Sequence, residues 1–303
     1  MGGGRTEGGS RPGKDSEGIS IQPLSPWDIA LTTIEFIAVA TLIGNPGRRF
    51  LFRIDNAELF RRVEVTWILS LTTGIALLAL ILLWLGLYPG LIIPSLTWIL
   101  SLGALTVNVM IYRKQLPRWR GYIRRFQGLP RFKGRWFVAL FLLIIGIQMS
   151  PLVGLWVTPG DDAKLYSLIS LRIVESQGTP RNWGVFASPT WYTEYTHLLL
   201  PGFSSEVAFL YLLFGASIPS GVSVITSLLR ALTAASLYAL VWAMTRRRMP
   251  SILAMAIYGL VIVEPTFGWF AWGGMAELAA ISLLPIAAMG TYLLSLRGLF
   301  RGG

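Results

Sequence analysis

Cysteine is absent from the 303 residues and histidine occurs once, at His197. Without cysteine there are no disulfides, thiol nucleophiles or thiolate-ligated metals, and one histidine excludes a histidine-cluster metal site. Acid–base chemistry therefore falls to carboxylates. Charge is scarce as well, at 14% of residues against about 25% in soluble domains. Hydrophobic residues make up 53%, with 12 Trp, 10 Tyr and 15 Phe, and the mean hydropathy is +0.60. This composition excludes a water-soluble globule and points to a multi-pass membrane protein whose spans need about 20 apolar residues each.

Residues 1–25 are rich in Gly, Ser, Pro and charge, with too little apolar surface to offset the entropy of ordering. A disordered tail is expected there, with the first membrane helix acting as targeting signal, since the tail lacks a signal-peptide core. Apolar runs predict spans at 27–45, 66–87, 90–112, 136–157, 219–244, 250–268 and 273–296; Asp28 and Glu35 interrupt the first, for which a helix lying flat in the interface is the competing reading. The expected fold class is thus all-α integral membrane, with about seven transmembrane helices and one large extracytoplasmic loop, 158–218, containing interfacial helices. Residues 26–135 read as a three-helix membrane extension and 136–303 as a second module.

The net charge of +11 raises nucleic acid as a partner, but the cations sit in short segments between apolar runs. Nineteen of the 26 Lys and Arg fall in 46–65, 113–135, 245–249 and 297–303, and six in the tail and 158–218. The positive-inside rule makes the first set cytoplasmic, in the cell membrane. The run Arg113–Arg135 is read as a segment on anionic lipid, with no nucleic-acid partner. Parity turns on 203–217, which is apolar but only about 15 residues long and bracketed by Gly202, Gly215 and Pro219. As an eighth span it would place Arg246, Arg247 and Arg248 on the opposite side, so it is read as a short interfacial helix.

The outer loop opens with Thr158-Pro159-Gly160-Asp161-Asp162. Leu165, Leu168, Ile169 and Ile173 then recur at helical spacing up to Gly178 and Pro180, predicting an amphipathic helix with both aspartates in its first turn. An aspartate there can be a helix cap, accepting backbone N–H bonds. It can also be a general base, its pKa raised where the membrane boundary desolvates it.

Arg230 lies inside a predicted span, where a cation marks a functional site by default. It can hold a phosphate through charge-assisted contacts, or pair structurally with Glu264 or Glu277. His197 follows Glu194 in an aromatic stretch, Trp191 to His197. That stretch is either an interfacial belt or a place where Glu194 and His197 meet substrate or a divalent ion.

Residues 136–297 resemble the membrane glycosyltransferases of the GT-C fold, which transfer sugars from polyprenyl-phosphate carriers. The resemblance rests on an acidic pair and interfacial helix of the kind D-[DE]-x3-Y ending in Gly and Pro, here Asp161, Asp162, Tyr166, Gly178 and Pro180. It continues through Pro201-Gly202, Phe214-Gly215, Arg230 and the Trp272-Gly273 pair near Glu277. It implies that Asp161 or Asp162 is the catalytic base and that Arg230 holds the donor phosphate. Tyr166, Glu194, His197, Trp272 and Glu277 are the further substrate-binding candidates, with a divalent ion as the cofactor some relatives require. The resemblance covers only the N-terminal part of that module, which implies a partner chain completing it. The alternative is a non-catalytic relative acting as a subunit or lipid-carrier binder. A transporter would show inverted repeats, and none is evident in the sequence.

Overall fold

The computed structural model describes residues 24–51, 62–88, 90–113, 134–155, 161–179, 202–261 and 275–301. Among them every element is helical: α1 (Pro26–Leu51), α2 (Val63–Gly86), α3 (Pro94–Tyr112), α4 (Arg135–Met149), α5 (Asp161–Ser176), α6 (Gly202–Phe214), α7 (Ile218–Thr245), α8 (Arg248–Ala256) and α9 (Met275–Arg301). A 3-10 turn, Ser150–Leu152, extends α4, and a π turn, Ile257–Val261, extends α8. Five helices are long and apolar enough to cross a membrane: α1 to Arg49, α2, α3, α4 with its 3-10 turn, and α7. The chain is thus an all-α protein of membrane character. The sixth and seventh expected spans begin as α8 with its π turn and as α9.

α7 is the axle of the bundle, buried along most of its length from Ile218 to Ala243. Ala231, Ala234, Ala235, Ala239 and Ala243 form a low side against which Phe137 and Phe141 of α4, Met255 of α8 and Met289 and Leu293 of α9 pack. Small residues let helix axes approach where apolar solvent gives no drive to associate. α3 is the opposite case, with Trp98, Ile99, Leu102 and Met110 exposed, an outward side suited to hydrocarbon.

α1 reaches α2 by backbone contact. A Cβ on Gly44 would overlap the carbonyl oxygen of Ser70, and one on Gly74 would overlap that of Ala40. Beside this crossing lies a buried polar group. Asn45 Nδ2 donates to Asn108 Oδ1 at 2.6 Å, Arg48 Nη2 to Asn45 Oδ1 at 3.1 Å and Arg48 Nε to Ser70 Oγ at 3.0 Å, tying α1, α2 and α3 together. One apolar core takes in Phe36 and Val39 of α1, Leu71 and Leu78 of α2, Phe209 of α6 and Leu228 of α7.

The helix ends carrying most of the described cations converge. Arg62 stacks over the Trp242 ring at 4.6 Å, Glu64 Oε1 lies 3.9 Å from Arg248 Nη2, and Arg49 covers the Tyr112 ring at 4.7 Å. Arg246–Arg248 therefore share an end with the start of α2, the arrangement that follows when 203–217 is not a span. At the other end Leu24 N donates to Leu155 O, and Thr179 N to Gly86 O, each at 2.8 Å.

The short helix expected within 203–217 is α6. At 13 residues, about 20 Å at 1.5 Å per residue, α6 is too short to cross a core of roughly 30 Å, yet Phe203–Leu210 are all buried. Its sequence, GFSSEVAFLYLLF, is apolar on more than one side, and such a helix is stable only when enclosed by others. It is enclosed by its neighbours in the bundle.

Candidate functional site

α6 and α7 form a hairpin. Gly215, at φ +76° and with its N–H on Tyr211 O at 2.9 Å, ends α6 in the left-handed conformation that glycine adopts without strain. Ser217 caps α7, its Oγ accepting from Ser220 N at 3.3 Å, and Pro219 occupies the first turn. In the antiparallel pair Val207 faces Gly221, where an added Cβ would lie 3.1 Å from the valine side chain. A Cβ on Gly202, at the other end of α6, would meet Ala79 of α2 at 3.5 Å.

α5 runs parallel to α6. The Tyr166 ring meets Phe203 edge-on at 5.4 Å, Ser204 Oγ donates to Tyr166 O at 3.4 Å, and Ile169 and Ile173 cluster with Ala208. The two helices therefore present their N-terminal ends, Asp161 and Gly202, in one direction. Both ends carry the positive pole of a helix dipole.

Arg230 is 1% exposed in the interior of α7, about 18 Å along the helix from its start. Its Nη1 donates to Oε1 of Gln148, itself 4% exposed near the end of α4, at 3.5 Å. Tyr258, on the π turn, shares a side-chain hydrogen bond with Thr233, one turn from Arg230, and lies within electrostatic range of the guanidinium. π turns recur at functional sites because the extra residue re-aims a side chain. Ser223, Thr226 and Ser227 continue the buried polar side of α7. The Thr226 and Thr233 hydroxyls bond back to Val222 O and Leu229 O at 2.7 and 2.9 Å, leaving the helix ladder intact.

Of the residues expected to form the site, Asp161 and Asp162 open α5, Tyr166 packs between α5 and α6, and Arg230 is buried on α7. Glu277 lies in the first turn of α9. Glu194, His197, Trp272 and Glu264 lie outside the described residues. Gln148 is one partner of Arg230, and among the described residues no three Asp, Glu or His side chains gather as a metal site.

Glu206 is the residue sequence reasoning passed over. It is 2% exposed on α6, its Oε1 meets no hydrogen-bond partner among the described residues, and burial pushes its carboxyl well above the usual glutamate range. Its signal was present, since an ionisable residue inside an apolar run is a functional flag by itself.

The chain matches no protein-family model, no curated protein and no solved structure.

Proposed function

We propose that the chain is a multi-pass membrane glycosyltransferase of GT-C type, moving a sugar from a polyprenyl-phosphate carrier to an extracytoplasmic acceptor. In this reading the apolar parts of α8 and α9 supply two further spans, for seven in all. The basic end faces the cytoplasm of a cell membrane. Asp161 or Asp162 takes the acceptor proton, the acceptor attacks the anomeric carbon, and the bond from that carbon to the phosphate oxygen breaks. Negative charge then gathers on the departing lipid phosphate, where Arg230 stabilises it through charge-assisted hydrogen bonds.

The observation that carries this reading is Arg230 itself: a guanidinium 1% exposed in the interior of a membrane helix, a position where a cation is costly unless used. The parallel N-terminal ends of α5 and α6 add support, because positive helix poles favour an anionic group near them.

The test is transfer from polyprenyl-phosphate sugars by the purified full chain in vesicles, with Asp161→Asn, Asp162→Asn and Arg230→Gln as variants. Loss of transfer in one aspartate variant, with carrier binding retained, supports the reading and identifies the base. Carrier binding that depends on Arg230 without any transfer would leave the non-catalytic carrier binder. Binding indifferent to Arg230 sinks both.

A further inference from the structure

At the basic end of the bundle, the last turn of α7 and the residues just past it gather hydrogen-bond donors that no acceptor among the described residues meets. Trp242 is 6% exposed and its indole Nε1 has no acceptor; neither have Nη1 of Arg246 nor Nε and Nη2 of Arg248. Arg62, from the start of α2, stacks over the Trp242 ring at 4.6 Å. Glu64 stands nearby, its Oε1 3.9 Å from Arg248 Nη2 and accepting from the Tyr238 hydroxyl at 3.4 Å.

Two features resist a purely structural account. A cation near a helix C-terminus is favoured by the dipole, but a buried indole N–H without an acceptor loses a hydrogen bond for nothing. Arg246 also holds φ +55° at the position after the helix, with its own N–H on Trp242 O at 2.9 Å. That left-handed position is where glycine normally stands, and a long side chain there is strained.

We propose that this end of α7 is a headgroup site for an anionic phospholipid, whose phosphate accepts from the Trp242 indole and from the guanidinium groups of Arg246 and Arg248. Apart from the Glu64 carboxylate, which faces Arg248 Nη2 at 3.9 Å, these groups are donors, and a phosphate is acceptors only. Guanidinium forks match its oxygens in pairs. The unpartnered donor atoms are closed to bulk water, so a phosphate meets them only after the arginine side chains turn outward, and it then supplies hydrogen bonds that the closed arrangement lacks. Arg248, with 28% of its side chain exposed, leaves a way in from the surface. The site lies at the end of a 28-residue apolar helix, the level at which headgroups sit, so the phosphate comes from lipid rather than from solution. The proposal needs the chain to lie in a membrane but is independent of any transferase activity.

The experiment is lipid retention and thermal unfolding of the purified, delipidated full chain in detergent, titrated with phosphatidylglycerol or with phosphatidylcholine. Phosphatidylglycerol is expected to bind and raise the midpoint, and phosphatidylcholine to do neither. Arg246→Gln is expected to weaken phosphatidylglycerol binding by about tenfold, the scale of one charged hydrogen bond. Trp242→Phe keeps the ring beneath Arg62 and removes only the N–H, so it remains informative if the arginine variant is unstable. Arg113→Gln removes a cation exposed at the same end and is expected to change nothing. Equal loss in Arg113→Gln, or no preference for the anionic lipid, overturns the site in favour of diffuse surface charge. Protection by millimolar inorganic phosphate alone overturns the lipid as its source.

Discussion

Arg230 of α7 donates to Gln148 of α4 at 3.5 Å, across 82 residues of sequence. Both are almost fully buried, so the contact pairs a donor with an acceptor inside an apolar interior. This fixes the end of α4, and with it the start of the loop leading to Asp161, against the middle of α7.

Gln148→Leu keeps the volume and removes an acceptor from the guanidinium. Stability in detergent should fall by about 1–2 kcal/mol, the upper part of the range for hydrogen bonds between membrane helices. Unfolding midpoints compared with Gln148→Glu, which keeps an acceptor, measure this. A midpoint for Gln148→Leu at or above that of the parent would show that the contact carries no energy.

Gly44 and Gly74 allow α1 and α2 to touch backbone to backbone, and neither tolerates a methyl group. Gly44→Ala and Gly74→Ala should each destabilise by about 3 kcal/mol or more, because the obstacle is main chain that no rotamer change can move. Gly103→Ala and Gly146→Ala, where an added Cβ meets nothing within 4 Å, should be neutral or stabilising by up to about 1 kcal/mol through helix propensity. Thermal melts of the four variants in one detergent separate the two classes.

The Asn45–Asn108 pair joins α1 to α3, with Asn108 Nδ2 also donating to Leu42 O at 2.7 Å. α3 is otherwise little covered by the bundle, so Asn108→Leu should loosen that helix selectively, by about 1 kcal/mol. Hydrogen exchange should then accelerate in α3 while α7 stays protected. Uniform acceleration across the bundle would contradict a local role.

Glu206 should give stability a pH dependence of defined sign. Its folded pKa is raised by burial, so the folded state holds a proton that the unfolded state releases. Stability should therefore be greatest below the ordinary glutamate range and decline as pH rises from there toward the folded pKa. Glu206→Gln, which mimics the neutral carboxyl, should remove that part of the slope. Denaturation midpoints across pH 4–8 for parent and variant decide it; parallel curves would refute the buried neutral acid.

Much of the membrane architecture was readable because burial in lipid demands apolar runs of defined length. The run 219–244 became Ile218–Thr245 and the run 66–87 became Val63–Gly86. The first run, interrupted by Asp28 and Glu35, holds as a helix because Asp28 sits in its first turn, accepting from Ser25 Oγ at 2.6 Å, while Phe36 and Val39 reach the shared core. The acidic start of α5 and the singular position of Arg230 were legible from residue type and place alone. The identity of Arg230's partner was not. Glu264 and Glu277 fit by charge, whereas Gln148 was passed over because a neutral amide raises no electrostatic flag.

The sequence by itself determined that the chain is helical, apolar and basic at one end, because hydropathy, breaker residues and the placement of arginine act locally along the chain. Only the tertiary structure decided that the short helix Gly202–Phe214 is enclosed by its neighbours, that Glu206 is consequently buried, and that Gly44 and Gly74 bring two backbones into contact. Those outcomes depend on which faces of several helices meet. A one-dimensional pattern records that a face is apolar; it does not record whether lipid or another helix covers it.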